Sequence, residues 1–474
     1  MTKGYVLPTI GPWTGELRVQ FRARISLCVT DVTATHRSNQ SLLVILIVLA
    51  GLTAIVMAGL AILLLVTPAS VGASAQQPAR VLPITSPPAT TPSTVPTAQP
   101  RLTVEQLQYV GAFRLPSDEA NGASFSFGGA PAAYYPERNS LFVGTRAGRV
   151  AEVSIPDPVK SDDVAALPFA RYLQPFTDPS EGGIKAELAE DGWTLSGLVV
   201  HARRLLGTAV IFYDANNTQQ ASHFSRSLSF DDHVATKLVR IGVKGKTGFV
   251  AGYMAEVPQE WQSSLGGTLV TGQCCLPIIT RTSWGPSAFV FDPADVLAAR
   301  NGAAEALVYY DADHPALGPW EGSNPTYGGT TQVGGVALIG GTRTALFVGR
   351  NGSGDFCYGD GTADMALVNR RGDGGERYCY DPTNPDKGQH SYPYRYQIWA
   401  YDLAELAEVR AGRRDPWSVK PYGVWPLEFP IAEPGVRIGG VAYDAIGRRL
   451  FISQLLADRD GYSFRPLIHV YRIP

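Results

Sequence analysis

The chain has 474 residues, a formal net charge of -2 and only 17% charged residues. That length allows two or three ordinary domains or one large one, and the near-neutral charge excludes nucleic acid as a partner, because phosphate binding needs a clustered basic surface. With 50 Gly, 35 Pro and 21 Tyr, the composition argues against a helical bundle and for many short strands joined by turns.

Residues 1–41 show no periodicity and read as a disordered cytoplasmic tail. Leu42 to Val66 is an uncharged apolar run of about 25 residues, enough to cross a bilayer core as a helix. Lys3, Arg18, Arg22, Arg24 and Arg37 precede it, and the first basic residue after it is Arg80. The basic flank stays in the cytoplasm, so the chain after the run is expected to be extracytoplasmic, at the cell membrane. The run is longer than the roughly 7–15 residues of a cleaved signal core, which favours a retained anchor. The alternative is cleavage after Ala73-Ser74-Ala75. Residues 67–101 follow as a Pro/Thr/Ser-rich linker, expected to be extended and partly polyproline.

From Leu102 to Pro474 a four-part strand unit recurs. The clearest copy is GGAPAAYYP, SLFVGTR, RVAEVSIP and RYLQPF. A second runs SGLVVHARR, GTAVIFYDA, SHFSRSLSF and KLVRIG. A third reads GQCCLPIITR, SAFVFDP and ALVYY. The fourth is GGVALIGG, TALFVGR, a long insertion, YRYQIWAYDL and YGVWPL. The last has GGVAYDAIG, RRLFISQ and PLIHVYRIP and lacks its fourth strand. Gln108 to Pro116, QYVGAFRLP, supplies that strand from the other end of the domain and closes a ring. The expected fold is therefore all-β, a β-propeller of five blades, or six if residues 243–270 hide another. Turns between first and second strands are short. The long connections lie at the other face, where Trp193, Trp320, Tyr327, Arg350 and Asp355 are the candidate ligand contacts.

The insertion from Asn351 to Arg395 carries Cys357 and Cys379, expected to pair as a disulfide in an oxidising compartment. Asp355, Asp360, Asp364 and Asp373 offer oxygen ligands for calcium, but their spacing is not that of a twelve-residue calcium loop and suits turn formation better. No zinc set is present. Cys274 and Cys275 are adjacent: they are bonded to one another, or one of them pairs elsewhere, or one or both are reduced and buried. His201, on an apolar strand, reads as a core residue. Asn216 and Asn351 head glycosylation sequons. No hydrolase, zinc-protease, Walker or dinucleotide motif occurs in a fitting context.

The stretches VAGYMAEVPQEW, TGQCCLPIITRTSWGPSAFVFDP and CYDPTNPDKGQHSYPYRYQIWAYD resemble a family of bacterial secreted or membrane-anchored β-propeller-like proteins. The resemblance covers nearly all of Leu102 to Pro474. It implies fold and location, and it transfers no catalytic residue. The functional expectation is a binding or scaffolding module for a glycan or an envelope protein. The alternative is an extracellular carbohydrate-active hydrolase with a carboxylate pair in the funnel, drawn from residues such as Asp214, Asp292 and Asp355.

Overall fold

A computed structural model describes residues 96–474, apart from Arg146, residues 189–191 and Asp373. The chain divides into Met1–Ala89 and Thr90–Pro474, so the structure concerns the second unit. The tail, the apolar run Leu42 to Val66 and most of the linker lie outside the described residues. Among the described residues no helix is long and apolar enough to cross a membrane.

Runs such as Ser140 to Gly144, Ala345 to Val348 and Leu450 to Ser453 are buried at every position. Uninterrupted burial, rather than alternation, is the mark of strands covered on both faces. Strand β1 (Gln108–Arg114) comes first and five antiparallel sheets follow. The first holds β2 (Ala132–Tyr135), β3 (Ser140–Gly144), β4 (Val150–Ser154) and β5 (Tyr172–Thr177). The second holds β6 (Trp193–His201), β7 (Arg204–Ile211) and β8 (His223–Ser227). The third holds β9 (Met254–Glu256), β10 (Leu269–Thr271), β11 (Ala288–Phe291) and β12 (Ala304–Val308). The fourth begins with β13 (Gln332–Ile339) and β14 (Thr344–Gly352). It is interrupted by a small sheet of β15 (Cys357–Thr362), β16 (Tyr378–Tyr380) and β17 (Lys387–His390). It resumes with β18 (Tyr394–Asp402) and β19 (Gly423–Leu427). The fifth holds β20 (Ile438–Asp444), β21 (Arg449–Asp460), β22 (Ser463–Arg472) and, as its last member, β1. Among the described residues four short α-helices, α1 (Gly183–Leu188), α2 (Gln259–Leu265), α3 (Pro293–Leu297) and α4 (Leu403–Arg410), sit in connections.

The pairing of β1 with β22 is antiparallel, with Phe113 opposite Ile468 and Ala112 opposite His469. Arg114 seals it by a two-pronged bond to the buried Asp458 (2.8 and 3.0 Å), which Arg465 also reaches at 3.0 Å. The first strands neighbour one another in cyclic order: β2 lies against β6, β6 against β9, β9 against β13, β13 against β20 and β20 against β2. The apolar core follows the same order, with one cluster between each pair of consecutive sheets. Two-residue alternation sorts the side chains. In β14, Ala345 and Phe347 pack toward the third sheet, while Leu346 and Val348 pack toward the fifth.

Glycine recurs in the first strands because their backbones touch. A methyl group on Gly197 would overlap the carbonyl oxygen of Gly252, and one on Gly334 would overlap that of Gly439.

Two sequence expectations need correction. The third sheet starts at β9, inside 243–270, so that stretch holds two strands of this sheet and one helix, and GQCCLPIITR falls in the connection between β10 and β11. Three-residue strands with few β-branched side chains leave little pattern to read. KLVRIG is not a continuous fourth strand. It meets β8 through the isolated bridge of Val239 to His223, after Ala235 just before it bridges Arg226.

Candidate functional site: the long-connection end

Successive strands of a meander turn back at alternate ends. Four of the five links from first to second strands are tight, as in the Ala202-Arg203 turn, where both residues have positive φ (48° and 58°), and the fifth, 257–268 between β9 and β10, carries α2. Links from second to third strands, and from one sheet to the next, emerge at the opposite end. Most of these are long, including 212–222, 272–287, 309–331, 353–393 and 428–437.

Buried polar groups fix these connections. Arg281, 2% exposed, donates to the carbonyls of Ile211 (2.9 Å) and Phe212 (3.1 Å) and lies 3.9 Å from Asp214. Asp214 accepts from the Thr218 amide (2.8 Å), the Thr218 hydroxyl (2.9 Å) and the Gln219 amide (3.0 Å). Burial alone would raise the Asp214 carboxyl, but these donors and the Arg281 charge together lower it. With the backbone of 211–214 held inward, the rings of Phe212 and Tyr213 face solvent, 54% and 65% exposed.

In the insertion, Cys357 and Cys379 are bonded as expected. The buried Asp381 accepts from His390 Nδ1 (2.9 Å), the Tyr394 hydroxyl (2.6 Å) and the Thr383 hydroxyl (2.7 Å). Burial pushes the Asp381 carboxyl up, and these bonds outweigh it and hold the group well below the usual carboxylate range. His390 Nε2 faces the carbonyls of Gly359 (3.2 Å) and Asp386 (3.1 Å). Cys274 and Cys275 are also bonded to one another, with Cys275 at a positive φ of 69°.

The exposed aromatic rings are distributed unevenly. Phe127, Phe212, Tyr213, Tyr358, Tyr380 and Tyr462 all sit at the long-connection end, and the exposed Phe169, in the link between β4 and β5, lies under the Arg114 guanidinium at 4.0 Å. Phe127 lies 5.4 Å from Phe464, and the Arg459 guanidinium covers Phe464 at 5.5 Å.

Toward the short-turn end the first strands enclose a cavity of about 380 Å³, lined by side chains such as Ala132, Leu198, Met254, Ala337 and Ala442. The acidic residues of its lining are Glu256 and Asp444. Glu256 pairs with His201 (2.9 Å) and Asp444 with Arg449 (2.7 Å). His201 is therefore a partly exposed pairing residue, not the core histidine expected from its strand.

The sequence candidates fall in different environments. Trp193 opens β6, half-buried, with its ring over Gly148. Trp320 is half-buried, 5.3 Å from Trp284, with the Gln389 amide oriented to accept from its indole at 3.2 Å. Tyr327 is 1% exposed and belongs to the core between the third and fourth sheets, so as a ligand contact it is corrected. Arg350 stacks on Tyr394 at 4.3 Å and donates to Gly435 O at 2.6 Å, which ties the insertion to the approach of β20. Burial lowers its pKa. Asp355 is exposed. Asp292 caps α3 through the Ala294 amide (2.9 Å), at the opposite end from Asp214. Asn351 is fully buried, its amide bonded to Asn324 O (2.9 Å) and Thr331 (2.7 Å), which closes its sequon in the folded domain. Of the four calcium candidates, Asp364 caps a turn at Ala366 (2.8 Å) and Asp373 lies outside the described residues. Among the described residues no group of three or more His, Cys, Asp or Glu side chains is placed to hold a metal.

Sequence reasoning missed the exposed rings themselves. Their signal was an aromatic set in a polar or Gly-rich connection, as in IFYDANN and DRDGY.

No protein-family model and no curated protein matches this chain. Among solved structures it is similar to a glycosyl hydrolase from Bacteroides ovatus, at 11% identity over 79% of this chain and 93% of that one, with a TM-score of 0.37. A likeness at that level carries no argument about fold or activity here.

Proposed function

We propose that this chain is a membrane-anchored, extracytoplasmic five-bladed β-propeller, of the bacterial secreted or anchored kind its sequence resembles, whose long-connection face binds a glycan or an envelope protein. The cyclic order of the first strands, the five inter-sheet cores and the pairing of β1 with β22 support the propeller. The basic flank and apolar run of Leu42 to Val66 support the anchor.

The observation that carries the binding reading is the gathering of exposed aromatic rings at one end. Ring faces left in water on a rigid scaffold suit stacking against sugar C–H groups or apolar partner side chains. A two-carboxylate hydrolase needs one free and one partly desolvated acid across an open funnel. The cavity between the first strands has small aliphatic walls, and both of its acids have cationic or imidazole partners.

Glycan-array binding of the full chain, with released reducing sugar assayed in parallel, tests this reading. Binding without release is expected. Combining Tyr213→Ala with Tyr462→Ala should weaken that binding by about tenfold, about 1.4 kcal/mol, and leave the thermal midpoint unchanged, since both rings are exposed. Release of sugar would overturn the proposal in favour of hydrolysis.

A further inference from the structure

A second pocket lies on the flank of the third sheet, where its turn is tied to the 212–222 connection by Asn217 Nδ2 donating to Gly245 O (2.7 Å). After its bridges to β8 the chain reaches Gly242, whose amide bonds to Gly302 O (2.9 Å), and makes a tight turn closed by Lys246 N to Val243 O (3.1 Å). Phe249 then drops to 2% exposure beneath the turn. Its ring meets Tyr309 edge-on (5.6 Å, 87°), and Phe289 stacks on Tyr309 (5.7 Å, 19°). Because Gly242, Ala304 and Ala306 are small, the rings leave a cavity of about 320 Å³. Its rim carries one cation, Lys246, with Nζ 4.9 Å from the Phe249 ring.

We infer that this pocket is a binding site for a small aromatic carboxylate, its ring held by Phe249, Phe289 and Tyr309 and its carboxylate by Lys246. Three rings in edge and stacked orientations offer a guest ring the contacts aromatic pairs prefer. The volume is at the low end of ligand sites, roughly 300–1,000 Å³, which limits the guest to one ring or two fused rings. Lys244 lies in the same exposed turn, which makes the Lys246 side of the rim basic. Burial first, then the charges of Asp311 and Asp415, push the Tyr309 hydroxyl up, and Glu305, beside Ala304 and Ala306 on β12, is paired with Arg410 (2.7 Å).

Calorimetric titration of the full chain with cinnamate and with uncharged cinnamyl alcohol tests the site. Saturable cinnamate binding at one site is expected. Lys246→Met should weaken cinnamate by about fivefold, the scale of an exposed ion pair, and leave cinnamyl alcohol unchanged. Ala306→Trp, which fills the cavity, should abolish both. Absence of saturable cinnamate binding, an equal effect of Lys246→Met on the two probes, or retention of binding in a folded Ala306→Trp variant would each overturn the inference. Lys246→Met is a surface change and decides the matter even if Ala306→Trp does not fold.

Discussion

At the scale of single residues, two buried histidines make the domain sensitive to acid. His223 contacts Ser222 (2.9 Å) and Thr271 (3.1 Å), and His469 contacts Tyr109 (3.1 Å) and Gln454 (2.8 Å) while stacking on Phe429 at 3.9 Å. Burial pushes both from 6.5 down to about 3. Below pH 6.5 the unfolded chain takes up protons that the folded chain refuses, so stability falls as pH falls, until the native groups themselves titrate near 3. The expected slope is about 1.4 kcal/mol per pH unit for each histidine. Urea unfolding between pH 6 and 4 should give a slope of about two protons in the natural chain and about one in His469→Gln. An unchanged slope in the variant would mean that His469 titrates normally. Neither histidine stood out in the sequence. Burial of a histidine depends on what the neighbouring sheet places over it, and His201, the one that looked buried, has an acidic partner at a rim.

At the scale of elements, the glycines of the first strands decide how closely the sheets meet. Gly197→Ala and Gly334→Ala should each destabilise the domain by about 1–3 kcal/mol through overpacking against a neighbouring backbone. Gly388→Ala in β17, where an added methyl meets nothing within 4 Å, should stay within about 0.5 kcal/mol. Denaturant midpoints compare the three, and equal losses would remove the argument from close approach. The long apolar strands β3, β14 and β21 were legible because burial on both faces leaves uninterrupted Leu, Val, Ile and Phe. Strands β9 and β10 were not, because three residues carry no period and their place comes from the pairing of Val270 with Ala255 and Val290.

At the scale of the molecule, β1 joins the two ends of the domain. Deleting residues 102–116 would strip β22 of its outer partner, uncover Ile468 and remove one of the two arginines on Asp458. A free strand edge pairs with other chains. The deletion variant is therefore expected to lose its single cooperative melt and to self-associate on size-exclusion chromatography. A monomer with an unchanged midpoint would show that the other inter-sheet cores suffice without it.

What the sequence determined by itself was the all-β class, the strands buried on both faces, the terminal strand that pairs with β22 and the Cys357–Cys379 bond. Each depends on a local pattern or on a repeat with one piece missing. Tertiary structure decided which side chains are free to act. Trp320 and Tyr327 share one connection, yet one is half-buried against Trp284 and the other is closed into the core. Phe212 and Tyr213 owe their exposure to Arg281, some 70 residues along the chain. Exposure and cavity volume arise from contacts between sheets distant in sequence, which spacing and composition do not encode.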